Sequence, residues 1–289
     1  MTNPAPSKIV LLTGSTSGIG KATAQEIVKS ATTLILPVRN LAKGEDLKKE
    51  LLVTNPDCLI DLLICDFDSI VSVKNLIAQV NAKYSTIDIL INDAGIVNDS
   101  KVITRDNLEQ TFQVNVLSQF FLNSKLLPLV KNSEQGRIIN LSSMGHYQGQ
   151  FDMDNLQGEK ENNKVTAGIK LYFNSNLYRN LLTLHLAKML AGTNVTVNCL
   201  HPGAIATGLG AHNNSIFAKI LVRISSVVSR KPDYGAKTIL FLALDPSVAT
   251  ISGKYWDNCQ QKTPSQLSLD TNLADQLWKK CEEIVDKVN

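Results

Sequence analysis

Short apolar bursts alternate with longer amphipathic stretches along most of the chain. Lys8–Leu12, Thr33–Val38, Leu59–Cys65, Ile87–Asn92, Gly136–Leu141 and Val195–Leu200 are compact runs rich in Ile, Leu and Val. Their shortness predicts buried strands. Between them, helical spacing predicts helices over Gly20–Lys29, Leu41–Val53, Ser69–Lys83, Asn107–Leu129 and Lys170–Leu190. Gly253–Trp256 reads as a further strand. Leu273–Val288 alternates charged and apolar positions and reads as a helix capping the fold. Strands joined by helical crossovers predict an α/β domain, a parallel sheet covered on both faces with right-handed connections. No linker divides the chain, so residues 1–289 are expected to form a single domain.

Composition narrows the partners. Hydrophobic residues make up 44% of 289, enough for one large core, and the net charge is only +3. The basic residues are scattered, which argues against a nucleic-acid partner. Five dispersed cysteines, Cys58, Cys65, Cys199, Cys259 and Cys281, suggest reduced thiols in a cytoplasmic setting, with neither disulfides nor a metal site. His146 and His201 lack metal-ligand spacing and are read as structural. No apolar run approaches the length of a membrane span, and the N-terminus lacks a signal-peptide pattern. A soluble protein is expected.

The first strand runs into T-G-S-T-S-G-I-G, Thr13 to Gly20, and then a helix. Gly14, Gly18 and Gly20 permit a tight turn and let the backbone approach a pyrophosphate, whose charge the helix N-terminus favours. A strand–helix turn without a ligand is the rival reading. Arg39 follows the second strand. An acidic residue there would suit the ribose hydroxyls of NAD, whereas an arginine suits the 2′-phosphate of NADP(H). Asp66, after the third strand, is a candidate for the adenine end of the cofactor, with helix capping as its alternative role.

Further motifs follow in order: N-D-A-G at Asn92–Gly95, Asn115 within F-Q-V-N-V, S-S at Ser142–Ser143, Y-F-N-S-N from Tyr172, and H-P-G-A-I-A-T from His201. Together they resemble the short-chain dehydrogenase/reductase family over nearly the whole chain. The V-R-N after the second strand, the polar insertion between Ser143 and Tyr172, and the S-G-K-Y-W-D-N-C tail from Ser252 resemble its retinol-dehydrogenase-like branch. The resemblance implies a Rossmann-like, doubly wound sheet of about seven parallel strands. It implies a nicotinamide cofactor lined by Gly14, Ser15, Ser17 and Ile19, approached at its adenosine ribose by Asn92, Ala94 and Gly95, and held at the nicotinamide end by Pro202, Gly203, Ile205 and Thr207. It also implies a homodimer formed through the long helices.

Hydride exchange between a nicotinamide and a carbonyl carbon leaves a charge on oxygen that a proton must neutralise. A tyrosine can carry that proton and a serine hydroxyl can hold the oxygen. Tyr172 and Ser143 are the candidates, with Ser142 the weaker neighbour. The resemblance assigns Asn115 to a helix irregularity and a water in a proton path.

Two positions depart from the family pattern. Asp93 replaces the usual asparagine of the N-N-A-G motif, and a carboxylate there needs a donor or a proton. Asn176 stands where the family has a lysine that binds the nicotinamide ribose and stabilises tyrosinate. An unassisted tyrosine titrates near ~10, leaving about one part in a thousand ionised at neutral pH, a deficit of about 4 kcal/mol. Asn176 can still hydrogen-bond a ribose hydroxyl. Lys170 faces away from Tyr172 along the helix; Arg179, seven residues on, shares its face at a distance. The expectation is a slow or reduction-biased NADP(H) enzyme whose turnover Asn176→Lys raises.

Residues 208–232 are expected to form a substrate lid. Ile216, Phe217, Ile220, Leu221, Ile224, Val227 and Val228 recur there at helical spacing, flanked by Lys219, Arg223, Arg230 and Lys231. Such a lid suits a small lipophilic carbonyl compound or alcohol, and could touch a membrane surface; a helix packed on the core is the alternative. The insertion Asp152–Lys164 reads as a surface loop bordering the site. The alternative to an oxidoreductase is a cofactor-binding protein that acts through interactions without turnover.

Overall fold

The computed structural model describes residues 8–161, 164–203 and 232–288, except the side chains of residues 164 and 165. Eight strands form one sheet: β1 Ile9–Thr13, β2 Thr33–Val38, β3 Leu59–Ile64, β4 Ile89–Asn92, β5 Gly136–Leu141, β6 Val195–His201, β7 Tyr255–Asp257 and β8 Gln260–Lys262. Their order is β3-β2-β1-β4-β5-β6-β7-β8. All neighbouring pairs from β3 to β7 are parallel, and β8 returns antiparallel. The chain reverses its progress across the sheet between β1 and β4, so a crevice opens at their carboxyl ends.

The helices are α1 Gly18–Ile27, α2 Leu41–Thr54, α3 Ile70–Lys83, α4 (Gln110–Phe112 and Ser118–Lys131, separated by a π-helical turn at Gln113–Leu117), α5 Lys164–Met189, α6 Pro232–Leu244 and α7 Thr271–Lys287. Strand alternation sorts the core into two layers. Leu11, Ile35, Leu90 and Ile138 pack with α3, α4, α5 and α7. Val10, Leu12, Leu34, Leu36 and Ile91 pack with α1, α2 and α6 on the other face. Each central strand is thus apolar on both sides, which explains its continuous hydrophobic run.

Several elements differ from expectation. The helix predicted from Asn107 begins only at Gln110, because Asn107 adopts φ 58° and Glu109 caps the Thr111 and Phe112 amides. The seventh strand is shifted to Tyr255–Asp257. The eighth is three polar residues reached through a tight hairpin, in which Asn258 and Cys259 both have positive φ. Its periodicity is too short to register. The insertion contains a 3-10 turn at Met153–Asn155.

Helix α5 lies close against the segment after β4 at Gly168. A Cβ there would come 2.0 Å from the Asn98 carbonyl oxygen and 2.4 Å from the Asp99 carbonyl carbon. Helix propensity alone would make Gly168→Ala stabilising. Overpacking against backbone outweighs that, so urea denaturation of Gly168→Ala is expected to show a loss of about 1–3 kcal/mol.

Candidate functional site

The crevice is built first by glycines. Gly14 has φ +73°, and a Cβ at Gly20 would come 2.2 Å from the Gly14 carbonyl oxygen. Only hydrogen at Gly20 allows the turn to fold onto the start of α1. Ser17 stands at the N-cap with no side-chain cap bond, which leaves the first amides of α1 to another acceptor. Ser15 is fully buried and its Oγ has no partner. Gly18 and the buried Ile19 complete the loop. Arg39 is exposed just past β2, before the Asn40 side chain caps α2. Asp66, past β3, accepts from the Asp68 amide and lies 3.7 Å from the Arg105 guanidinium, while Ser69 caps α3. Helix capping, the rival role for Asp66, therefore falls to Ser69.

Asn92 ends β4. Its side chain turns into the core and donates to Asn123 Oδ1 (2.7 Å) and Asn140 Oδ1 (2.9 Å). Asn140 in turn bonds Gln119 and Thr183. This buried amide network locks β4, β5, α4 and α5 together, so Asn92 can approach a cofactor only through its backbone. Thr13 Oγ1 accepts from the Ala94 amide, fixing the chain as it leaves β4.

The adjoining segment carries the buried charges. Asp93 is partly buried, with Oδ2 against Gly14 and Gly20, and it accepts the Gly20 amide. Burial pushes its carboxyl up to about 7, against the downward pull of the Arg179 guanidinium and the Gly20 N–H. The donor that a carboxylate here requires is thus the glycine loop itself. Arg179 is 6% exposed. Its Nε donates to the Asn115 carbonyl (2.6 Å) and Nη2 to the Ala94 carbonyl (2.7 Å), beneath Gly95. Burial lowers it to about 10, so it stays charged at neutral pH.

Asn115 lies at the middle of the π turn. Its Oδ1 accepts from the Ile96 amide (2.8 Å), and its Nδ2 donates to the Ile96 carbonyl (2.9 Å) and to Ser175 Oγ (3.2 Å). The helix irregularity expected at Asn115 is present. The Asn115 carbonyl accepts from Arg179 Nε.

Ser143 follows β5, and its Oγ accepts from the Gly145 amide. Ser142 is buried and donates to the Asn176 carbonyl at 3.2 Å. That bond ties the end of β5 to the turn of α5 that follows Tyr172. Asn176 is 1% exposed; its Nδ2 folds back onto the Tyr172 carbonyl (2.8 Å), and its Oδ1 has no partner. One of its two amide N–H donors is thus spent on its own helix, a common resort of asparagine, and Oδ1 stands ready to accept from a hydroxyl. Lys170 points to Glu161 at 3.1 Å, away from Tyr172.

His146 is buried, with Nδ1 on the Ser143 carbonyl and Nε2 accepting from the Ser265 amide. These bonds fix the turn after Ser143, in keeping with a structural role. Pro202 and Gly203 (φ +94°) follow β6. Ile205, Thr207 and nearly all of the proposed lid at 208–232 lie outside the described residues. Among the described residues, no group of His, Cys, Asp or Glu could hold a metal ion, and no helix is long and apolar enough to cross a membrane.

Comparison with known proteins accounts for this arrangement. The short chain dehydrogenase family profile matches residues 8–154. Human retinol dehydrogenase 13 is 35% identical over 286 residues, covering 97% of this chain and 85% of that protein. The chain belongs to the short-chain dehydrogenase/reductase family. It falls in the retinol-dehydrogenase-like branch and is an oxidoreductase of the CH–OH/C=O class. A chloroplastic short-chain dehydrogenase of Brassica napus, TIC 32 B, is 34% identical over 96% of this chain and 88% of its own length. Among solved structures, a protein from Mycobacterium paratuberculosis superposes with TM-score 0.76 at 24% identity, covering 98% of this chain and 94% of its own. RhlG of Pseudomonas aeruginosa, solved with NADP in its active site, gives TM-score 0.68 at 22% identity, covering 94% and 100%. Family members bind a nicotinamide cofactor, and this crevice fits one. The glycine turn excludes side chains, and Ser15 Oγ and Asn176 Oδ1 are buried polar atoms without partners among the described residues.

Asp93 makes stability depend on pH. Burial holds its pKa in the folded protein at about 7, above the ordinary carboxylate value of about 3.8. Between those values the folded protein holds a proton that the unfolded chain has lost. Stability from this group is therefore greatest in acid and declines as pH rises toward 7. Chemical denaturation across that range is expected to show Asp93→Asn flattening the decline, by on the order of 2 kcal/mol.

Proposed function

We propose that this protein is an NADP(H)-dependent reductase of small lipophilic carbonyl compounds, with Tyr172 as proton donor and Ser143 as the group that holds the substrate oxygen. The observation that carries the reading is the bonded frame around Tyr172. Ser142 fixes the end of β5 to α5, and Asn115 bonds Ser175, whose Oγ donates to the Tyr172 carbonyl. These bonds hold Tyr172 and Ser143 in fixed relation at the carboxyl edge of the sheet.

A reduced nicotinamide held in this crevice would supply the hydride that the substrate's carbonyl carbon takes up, leaving the negative charge on oxygen. Ser143 Oγ orients that oxygen. Tyr172 O–H gives it a proton, and the resulting tyrosinate regains one from solvent. The products are an alcohol and the oxidised cofactor. Reduction starts from neutral tyrosine, the form populated at neutral pH, whereas oxidation must start from tyrosinate. With Asn176 bringing no charge, this asymmetry favours reduction. NADP(H) follows from exposed Arg39, free to meet a 2′-phosphate. The cofactor would be held by Gly14, Ser15, Ser17, Gly18, Ile19, Gly20, the backbone around Asn92–Gly95, and Pro202 and Gly203, with Ile205 and Thr207 beyond them. The apolar stripe from Ile216 to Val228 suits a lipophilic substrate, consistent with relatives named for retinol.

The test is NADPH oxidation against a panel of lipophilic aldehydes and ketones. Turnover that falls at least about a hundredfold in Tyr172→Phe is expected. Tight NADPH binding without turnover of any carbonyl would contradict the reading and favour a cofactor-binding protein that acts through interactions. In a separate measurement, Arg39→Asp is expected to reverse the ratio of NADPH to NADH affinity. An unchanged ratio would assign cofactor choice elsewhere.

A further inference from the structure

Arg179 is buried, charged and not ion-paired within 4.0 Å among the described residues. Its acceptors among the described residues include the Ala94 and Asn115 carbonyls, which are neutral. Burying a guanidinium this way is costly, and a neutral side chain could brace the same two carbonyls. The charge itself therefore calls for an explanation.

Geometry supplies one. Residues 172 and 179 are seven apart on α5 and share a face. Their Cα atoms are about 10 Å apart along the axis. Helical side chains lean toward the N-terminus, so the long Arg179 side chain closes much of that gap. It reaches Asn115, which also bonds Ser175, only three residues from Tyr172. In a poorly hydrated interior, the field of a fixed charge reaches farther than in water. The position nearer to Tyr172, Asn176, is neutral and has turned its amide donor back on the helix.

We propose that Arg179 is a positioning residue for the proton step: from two turns along α5, its buried guanidinium supplies the positive charge that favours the Tyr172 phenolate. The idea rests on Tyr172 being the proton-transferring group, and its test does not require turnover.

The other titratable groups on elements packed against this stretch are accounted for. Asp93, after β4, opposes the guanidinium when ionised. Burial keeps Cys199 on β6 protonated and disfavours charge on His201 and His146. Asp275 on α7 is bound by His185 and Lys188.

The experiment is a spectrophotometric titration of phenolate absorbance in the cofactor-free protein, with the Tyr172 component obtained by subtracting the Tyr172→Phe curve. In Arg179→Gln the component is expected to move up by about one pH unit. Arg179→Lys should retain most of the original position, and adding Asn176→Lys to Arg179→Gln should restore it. An Arg179→Gln protein that melts like wild type and shows an unmoved component overturns the proposal. Should Arg179→Gln not fold, Asp93→Asn carries the test. Removing the opposing carboxylate must move the component down, and no movement overturns the proposal. A shift in titration without carbonyl turnover would leave this inference standing and defeat the enzymatic reading; turnover with an unmoved component would do the reverse.

Discussion

The guanidinium of Arg179, forked between the carbonyls of Ala94 and Asn115, is where the site is held together. It joins three pieces of chain: the segment leaving β4, the π turn in α4, and the long helix α5 that carries Tyr172. Each piece depends on the others. The π turn presents Asn115, Asn115 clamps the Ile96 peptide on both sides, and the same segment places Asp93 against the glycine loop. On the proposed reading, a charge at the centre of such a junction acts on both the cofactor cradle and the proton donor.

The layers of the fold were plain in the sequence because burial on both faces of a parallel sheet leaves continuous apolar runs. The glycine loop was equally plain, since only glycine fits at Gly20, packed on the Gly14 carbonyl. Other features were hidden for identifiable reasons. The hairpin to β8 has only three residues per strand, those of β8 all polar, and no period to detect. The role of Asn92 depends on partners 31 and 48 residues away, Asn123 and Asn140, and nothing local announces them. A signal did exist for Arg179: an arginine on the tyrosine's helical face, seven residues on. Its distance counted against it until the lean and length of the side chain were seen. The reversal of the Asn176 amide donor onto the Tyr172 carbonyl could not be read from residue type, because the same side chain could equally have faced a ribose.

The two departures that the family resemblance implies make sense together under the proposed role of Arg179: Asp93 would introduce a carboxylate and Asn176 would remove a cation, and one buried guanidinium would answer the first and compensate for the second. On this account the chain has redistributed the charge around its proton donor while keeping the hydrogen-bonded frame that positions it. The human and plant relatives, matched over nearly the whole chain, place the protein within a family of oxidoreductases.

The central claim is that this rearranged site still transfers a hydride. It is tested most directly by incubating the protein with a lipophilic aldehyde and NADPH deuterated at the transferable position of the nicotinamide, then examining the alcohol by mass spectrometry. The account predicts deuterium at the carbinol carbon, and no label when Tyr172→Phe replaces the wild type. Bound NADPH with no labelled alcohol from any aldehyde or ketone tried would contradict it.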